Sequence, residues 1–318
     1  MSAAASRGAR LLARLSVCAL ISCFAWSPAA QAQGEGPRAY ELAPEGSQAL
    51  SLYGEFARSD ASFDPASVTP GVEVNVDGSI IEYSHGIVLG GNAGSVIVSL
   101  PVGAAHRSVK VGDTVKTDSS SGIGDLQIAA AFGVLGSPAL TDEEYGNYRP
   151  RFALSVLSRV YAPTGVYDRN APINLGQNRW ALQLGLPLSY YIGHSFLDPS
   201  LTSFELLPSV TWYGDNNEPP PQGNHSSEAP LLQLEAHVTR NLNESLWVSV
   251  DALLMEGAQT TINGVSQPDR QRSFALGATA SVAVSDAVSV TLSYTKVVSR
   301  NYDGVSGHVI RFIAEFSF

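Results

Sequence analysis

Charged side chains set at every second residue, opposite an apolar face, are the groups in this sequence that could do chemistry. In residues 151–162, Arg151, Ser155 and Arg159 alternate with Phe152, Leu154, Val156 and Val160. In residues 179–192, Arg179, Gln183 and Ser189 alternate with Trp180, Leu182, Leu184, Leu186, Leu188 and Tyr190. The same spacing elsewhere adds Glu55, Asp125, Glu205, Glu235, His237, Asp251, Arg311 and Glu315 to the polar face. A period of two places one set on each side of a strand. If the apolar side meets lipid, the polar side points into a lumen. Charges of both signs there either pair across it and narrow it, or line a polar path for a solute. Arg151, Arg159 and Arg179 concentrate cations on two neighbouring strands, with Tyr161 at the rim beside the loop 163–178. A guanidinium attracts an aromatic ring by about 0.5–2 kcal/mol, which is weak enough to let a passing solute go. Arg159 and Arg179 are therefore expected to line the route of an aromatic or anionic aromatic solute. The alternative is that they pair with Glu205, Glu235 or Asp125 and serve structure alone.

Other chemistries find little support. His85, His106, His194, His225, His237 and His308 include no pair at metal-ligand spacing. Gly122-Ile-Gly-Asp125 lacks the lysine and following helix of a phosphate loop and reads as a turn opening a strand. Serine is abundant, but no local motif couples one to a histidine. No catalytic residue, metal or cofactor is expected.

The polar set needs long strands to hold it. The second run is apolar on one face over a length that suits an oblique bilayer crossing of roughly 9–11 residues, against about 5–6 for an ordinary strand. Twelve such runs follow in order: 49–57, 80–89, 95–101, 123–135, 151–162, 179–192, 201–213, 231–241, 245–256, 272–285, 288–298 and 308–318. An even number closes an antiparallel barrel with both ends on one side. The connections 58–79, 102–122, 163–178, 214–230, 257–271 and 299–307 are long, whereas 90–94, 194–200, 242–244 and 286–287 are tight. Sorting by side is the outer-membrane pattern, with long loops outward and short turns in the periplasm. The connection 136–148 breaks the rule and reads as a flap on the turn side. Pro187 and Pro208, inside strand runs, are expected at bulges or bends.

The ends agree with export. Arg7, Arg10 and Arg14, a short apolar stretch over 15–26 and Ala30-Gln-Ala32 make residues 1–32 a cleaved signal peptide, with the mature chain starting near Gln33. Leu20-Ile-Ser-Cys23 offers a lipoprotein alternative, although the residues after Cys23 stay apolar. Both cysteines, Cys18 and Cys23, lie in this segment, so the mature chain has no thiol. Losing three arginines and no acids takes the net charge from −10 to −13, which leaves no basic footprint for nucleic acid. Residues 33–48 read as a polar N-terminal extension and 49–318 as the barrel. The chain closes on Ile310, Phe312, Ala314, Phe316 and Phe318 sharing one face, a terminal strand suited to the barrel assembly machinery.

Several of these stretches carry a resemblance. Tyr161-Ala-Pro-Thr-Gly-Val-Tyr-Asp168, Asn174-Leu-Gly176, Asn178-Arg-Trp180 and Ser121-Gly-Ile-Gly-Asp125, with the closing Phe318, resemble the phenol meta-pathway family of outer-membrane transporters over most of the mature chain. The resemblance implies an outer-membrane barrel associated with aromatic-compound degradation. It brings no catalytic set and no substrate ligands. The expectation is an all-β, single transmembrane antiparallel up-and-down barrel of about 12 strands in the outer membrane of a Gram-negative bacterium. It would admit small hydrophobic or aromatic solutes by passive diffusion and would have the outer-membrane lipid as its surroundings. A closed-lumen structural or adhesive barrel and a barrel enzyme acting on lipid stand as alternatives.

Overall fold

Alternation becomes a closed wall. The structure, a computed structural model, describes residues 34–41, 43–60, 73–111, 114–219 and 223–318. Residues 1–32, expected as a signal peptide, and the expected start near Gln33 lie outside the described residues. The strands are β1 (Gln48–Ser59), β2 (Glu73–Leu89), β3 (Asn92–Val111), β4 (Thr114–Ile123), β5 (Leu126–Leu135), β6 (Phe152–Ala162), β7 (Ala181–Gly185), β8 (Leu188–Ile192), β9 (Thr202–Tyr213), β10 (Ser226–Glu228), β11 (Leu231–Asn241), β12 (Leu246–Gly257), β13 (Thr260–Ile262), β14 (Val265–Ser266), β15 (Gln271–Ser285), β16 (Val288–Arg300) and β17 (Gly307–Ser317). Neighbours pair antiparallel around the ring, β9 meets β11, and β17 returns to β1. Counting β4 with β5 and β7 with β8 as single wall positions, the barrel has 12 strands.

The wall turns its apolar side outward. Leu182, Leu184, Leu234, Val250, Leu292 and Ile310 are exposed, while Gln183, Glu235, Ser249, Ser293 and Arg311 beside them are buried. This inverts the soluble arrangement and gives lipid the face that a water-soluble sheet would hide. Pro187 divides β7 from β8, because it cannot donate to the ladder. The neighbouring backbone compensates: Ser155 donates to the Pro187 carbonyl at 2.8 Å and Leu186 to that of Pro208 at 3.0 Å.

Two stretches read as loops are strands. β3 runs on through 102–111 and pairs with β4, so much of 102–122 forms a hairpin rising beyond the wall. Likewise β2 starts at Glu73, inside the connection 58–79. Beyond the bilayer no lipid demands an apolar outer face, so these extensions carry serine, lysine and aspartate and lose the alternation that marks the others. The connections 214–230 and 257–271 hold the short sheet β10–β13–β14.

The turn-side connection 136–148 contains a short helix, α1 (Asp142–Asn147). Thr141 caps it and Glu144 reaches back to the Thr141 backbone, completing a capping box. Tyr145 stacks on Phe196 at 4.8 Å between ring centres, and Tyr191 meets the same ring edge-on at 5.3 Å. The flap is thereby packed against the turn 194–200.

Candidate functional site

The residues before β1 lie inside the barrel. Glu35 accepts a two-pronged hydrogen bond from the Arg159 guanidinium, one arm at 2.8 Å. The Arg38 backbone N–H donates to Glu205 at 2.7 Å, and its guanidinium donates to Thr239 at 3.0 Å and Asn241 at 2.7 Å while lying over the Trp247 ring at 4.7 Å. Gly36 donates to Glu235 at 3.4 Å, and Arg311 donates to the Gly34 carbonyl at 3.1 Å. Tyr40 packs against the cluster of Ile97, Ala129, Ala131, Leu157 and Leu207. At its lower end the Glu45 backbone N–H donates to the Leu140 carbonyl at 2.8 Å, tying the segment to the flap. Burial raises the Glu41 carboxyl to about 7; the Arg38 guanidinium opposes this and the Glu205 carboxylate adds to it.

A second stopper closes the opposite mouth. Loop 163–178 crosses the lumen and buries Ile173 and Leu175 against Ala57, Val74, Val76, Ile80, Ala105 and Val309. Asp125 holds its two feet, accepting from the Gly165 N–H and the Gln177 N–H at 2.8 Å each. Leu126 donates to Thr164 at 3.0 Å and Gly176 to the Val166 carbonyl at 2.9 Å. Gly165 and Gly176 touch backbone to backbone, where a Cβ on either would lie 2.7 Å from the other. Asn174 caps the turn by accepting from the Asp168 N–H at 2.7 Å. The short motifs that stand apart in sequence thus meet in one joint.

Between the stoppers is a chamber of about 120 Å³, lined by Tyr53, Tyr161, Tyr213, Gln127, Gln183, Gln233 and Thr211, with Leu175 and Gln177 above and Gly34 and Glu35 below. Its three arginines are engaged. Arg159 meets Glu35, Arg179 meets Glu228 at 2.6 Å beneath the Tyr213 ring at 4.5 Å, and Arg311 pairs with Glu55. Below and around the segment a larger cavity of about 1270 Å³ is walled on one side by Ser51, Ser84, Ser281, Ser289, Thr291, Ser293 and Glu315.

The sequence candidates divide accordingly. Arg159, Tyr161, Arg179, Glu235 and Arg311 surround the chamber. Glu205 and Glu235 hold the N-terminal segment. His237 sits between Asp251 at 2.8 Å and Glu235 at 3.6 Å, and Ser249 and Thr279 also donate to Asp251. Glu315 accepts from Ser51 at 3.4 Å in the lower cavity. Arg151 joins none of them: it is exposed at the turn-side end of β6, so the expected cluster of three arginines is two chamber residues and one rim residue. The actual partners of Arg159 and Arg179 are Glu35 and Glu228, and Asp125 is a loop anchor. Sequence reading missed Glu35, Arg38 and Tyr40. Their signal was an arginine, a tyrosine and three glutamates packed into a Gly/Pro-bearing stretch that borders the first strand.

The fold and sequence have recognisable relatives. A family model described by the MetA pathway of phenol degradation matches residues 56–312. The outer membrane channel of group COG4313 from Pseudomonas putida F1 is similar in structure, with a TM-score of 0.71 at 18% identity, covering 89% of this chain and 99% of that one. The beta domain of the Bordetella autotransporter BrkA reaches 0.48 at 13% identity, over 86% and 100% of the two chains. Among curated proteins none matches. The chain belongs to the family of the MetA pathway of phenol degradation.

Proposed function

We propose that this family member is a passive channel of the outer membrane for small neutral aromatic or hydrophobic compounds, serving their degradation. The observation that carries this reading is the chamber. An apolar cavity of roughly 150 Å³ accepts one benzene, and the space of about 120 Å³ here, with largely polar walls, is of that order in volume. Three tyrosines line the space beside an aromatic solute, and the glutamine amides and Thr211 offer partners to a hydroxyl. Every chamber arginine already has an anionic partner, so a carboxylate would have to displace one. That favours a phenol over a benzoate. The paths in and out run past the loop 163–178 and past the N-terminal segment, and one or both must shift.

In this reading the long hairpins face outward and the flap faces the periplasm. Residues 1–32 direct export, and the closing strand with its terminal Phe318 engages the assembly machinery. The mechanism has no catalytic step; lipid turnover by the purified protein would contradict it. The two stoppers also favour a second reading, a closed structural barrel. Vesicles decide between them. Wild type is expected to admit labelled phenol faster than benzoate, and Thr211→Trp, which fills the chamber, to stop both with the barrel intact. Uptake no faster than in empty vesicles would select the closed barrel. Unchanged uptake through folded Thr211→Trp would move the route away from the chamber.

A further inference from the structure

The outer surface of the wall carries a polar row that the channel reading does not use. Cross-strand register places His106 of β3 opposite Asn75 of β2, Asn75 opposite Arg58 of β1, Arg58 opposite His308 of β17, and His308 opposite Lys296 of β16. All five point outward, because they keep the two-residue phase of the exposed Val98, Ile81, Phe56, Ile310 and Tyr294 on the same strands. Adjacent strands lie about 4.8 Å apart, so the row spans roughly 20 Å of wall. It sits where those lipid-facing side chains give way to the hairpin extensions. On the other side of the barrel, outward positions at that end carry Trp180, Trp212 and Leu232 instead.

The row is built to meet an anion. Arg58 donates through Nη1 to Asp77 at 2.8 Å and to the Ala57 carbonyl at 3.1 Å. Its Nη2 and Nε are unengaged among the described residues, and so is the Lys296 ammonium. Among the described side chains Asp77 is the acid beside the row; it offsets one of the two cations, Arg58 and Lys296, and leaves a single positive charge in excess, with two imidazoles able to donate. The Tyr294 ring lies 5.9 Å from that of His308, giving the row an aromatic floor at the hydrocarbon boundary. Lys296 and the arms of Arg58 that Asp77 does not take can receive a further anion at the depth of lipid headgroups, which in the outward leaflet a phosphorylated glycolipid supplies.

We propose that this row binds a phosphate of a phosphorylated glycolipid of the outer leaflet, fixing one sector of the barrel against a specific lipid. The proposal rests on the outward orientation of the long hairpins. Binding in vesicles that carry the lipid in both leaflets does not depend on orientation, so the two can fail separately. The experiment counts lipid A retained by the purified barrel in native mass spectrometry, and compares its unfolding temperature in phosphatidylethanolamine vesicles alone, with lipid A, and with phosphatidylglycerol at equal phosphate. Wild type should retain lipid A and be stabilised by it more than by phosphatidylglycerol. Arg58→Gln combined with Lys296→Gln should lower retention about thirtyfold, given about 1 kcal/mol for each interfacial basic residue, with stability in neutral vesicles unchanged. Arg240→Gln removes a charge at the turn-side end of β11 and should retain lipid A as wild type does. Equal retention by the double variant, an equal response to phosphatidylglycerol, or an equal loss in Arg240→Gln would each overturn the proposal.

Discussion

Two sectors of the lumen wall treat the N-terminal segment differently. From β5 to β12 the inward side chains are large and bonded to it: Arg159 to Glu35, Glu205 and Thr239 to Arg38, and Glu235 to Gly36. From β15 through β17 and β1 to β2 they are mostly serine and threonine, and the 1270 Å³ cavity lies along them. From that side Arg311 reaches across to the Gly34 carbonyl and the Gly86 N–H meets the Ser47 carbonyl at the segment's end. A segment held on one flank and open on the other can be passed, or swung aside, without losing all its contacts. One sector supplies the hold and the other supplies the room.

The sharpest way to break this comparison is to remove what the first sector holds. Deleting residues 34–44 should raise single-channel conductance severalfold, because the lower cavity then extends to the chamber. No change would mean that the loop 163–178 alone limits passage. Next in size is the loop's anchor. Asp125→Ala leaves the Gly165 and Gln177 N–H groups without their carboxylate, at a cost of about 1.5–3 kcal/mol for each charged hydrogen bond. Earlier proteolysis within 163–178, with the barrel otherwise intact, is the expected readout.

The two sectors can then be compared residue for residue. Arg159→Gln strands Glu35, and breaking a buried pair costs about 3–5 kcal/mol, an upper range here because Glu35 keeps some exposure. Ser293→Ala on the open side should cost at most about 1 kcal/mol. Thermal unfolding in vesicles tests both, and equal losses would erase the distinction between the sectors. The smallest effect comes from Glu41. Its carboxyl, raised by burial from 4.5 to about 7, is held better protonated. Its contribution to seating the segment is therefore full below about pH 4.5, where the acid is protonated free or bound, and fades as pH rises through 7. Protease cleavage of the segment should quicken between pH 5 and pH 8, and Glu41→Gln should flatten that profile.

Much of the wall was legible because lipid imposes a strict rule. Leu232, Leu234, Ala236 and Val238 must face hydrocarbon, so Gln233, Glu235, His237 and Thr239 face inward, and the phase is readable from sequence alone. Where lipid stops, so does legibility: β4 and the upper half of β3 meet water on their outer face and read as loop. The site was less legible because its makers come from outside the alternating runs. Glu35 lies 124 residues before Arg159 and Arg38 lies 201 before Thr239, and no local pattern links them. The resemblance motifs Ser121–Asp125, Thr164–Gly165 and Asn174–Gly176 were visible as motifs, yet only their meeting at Asp125 shows them to be one joint.

The seam between β1 and β17 bears on the order of assembly. Gln48 and Phe318 exchange backbone hydrogen bonds at 3.2 and 2.9 Å, so the first and last strands are stitched at the lower rim. Contacts of such long sequence separation form late, and until they form both edge strands stay open to wrong partners. The segment ahead of β1 depends on β6, β9 and β11 together, so its seat does not exist until most of the cylinder does. It settles after the walls are standing.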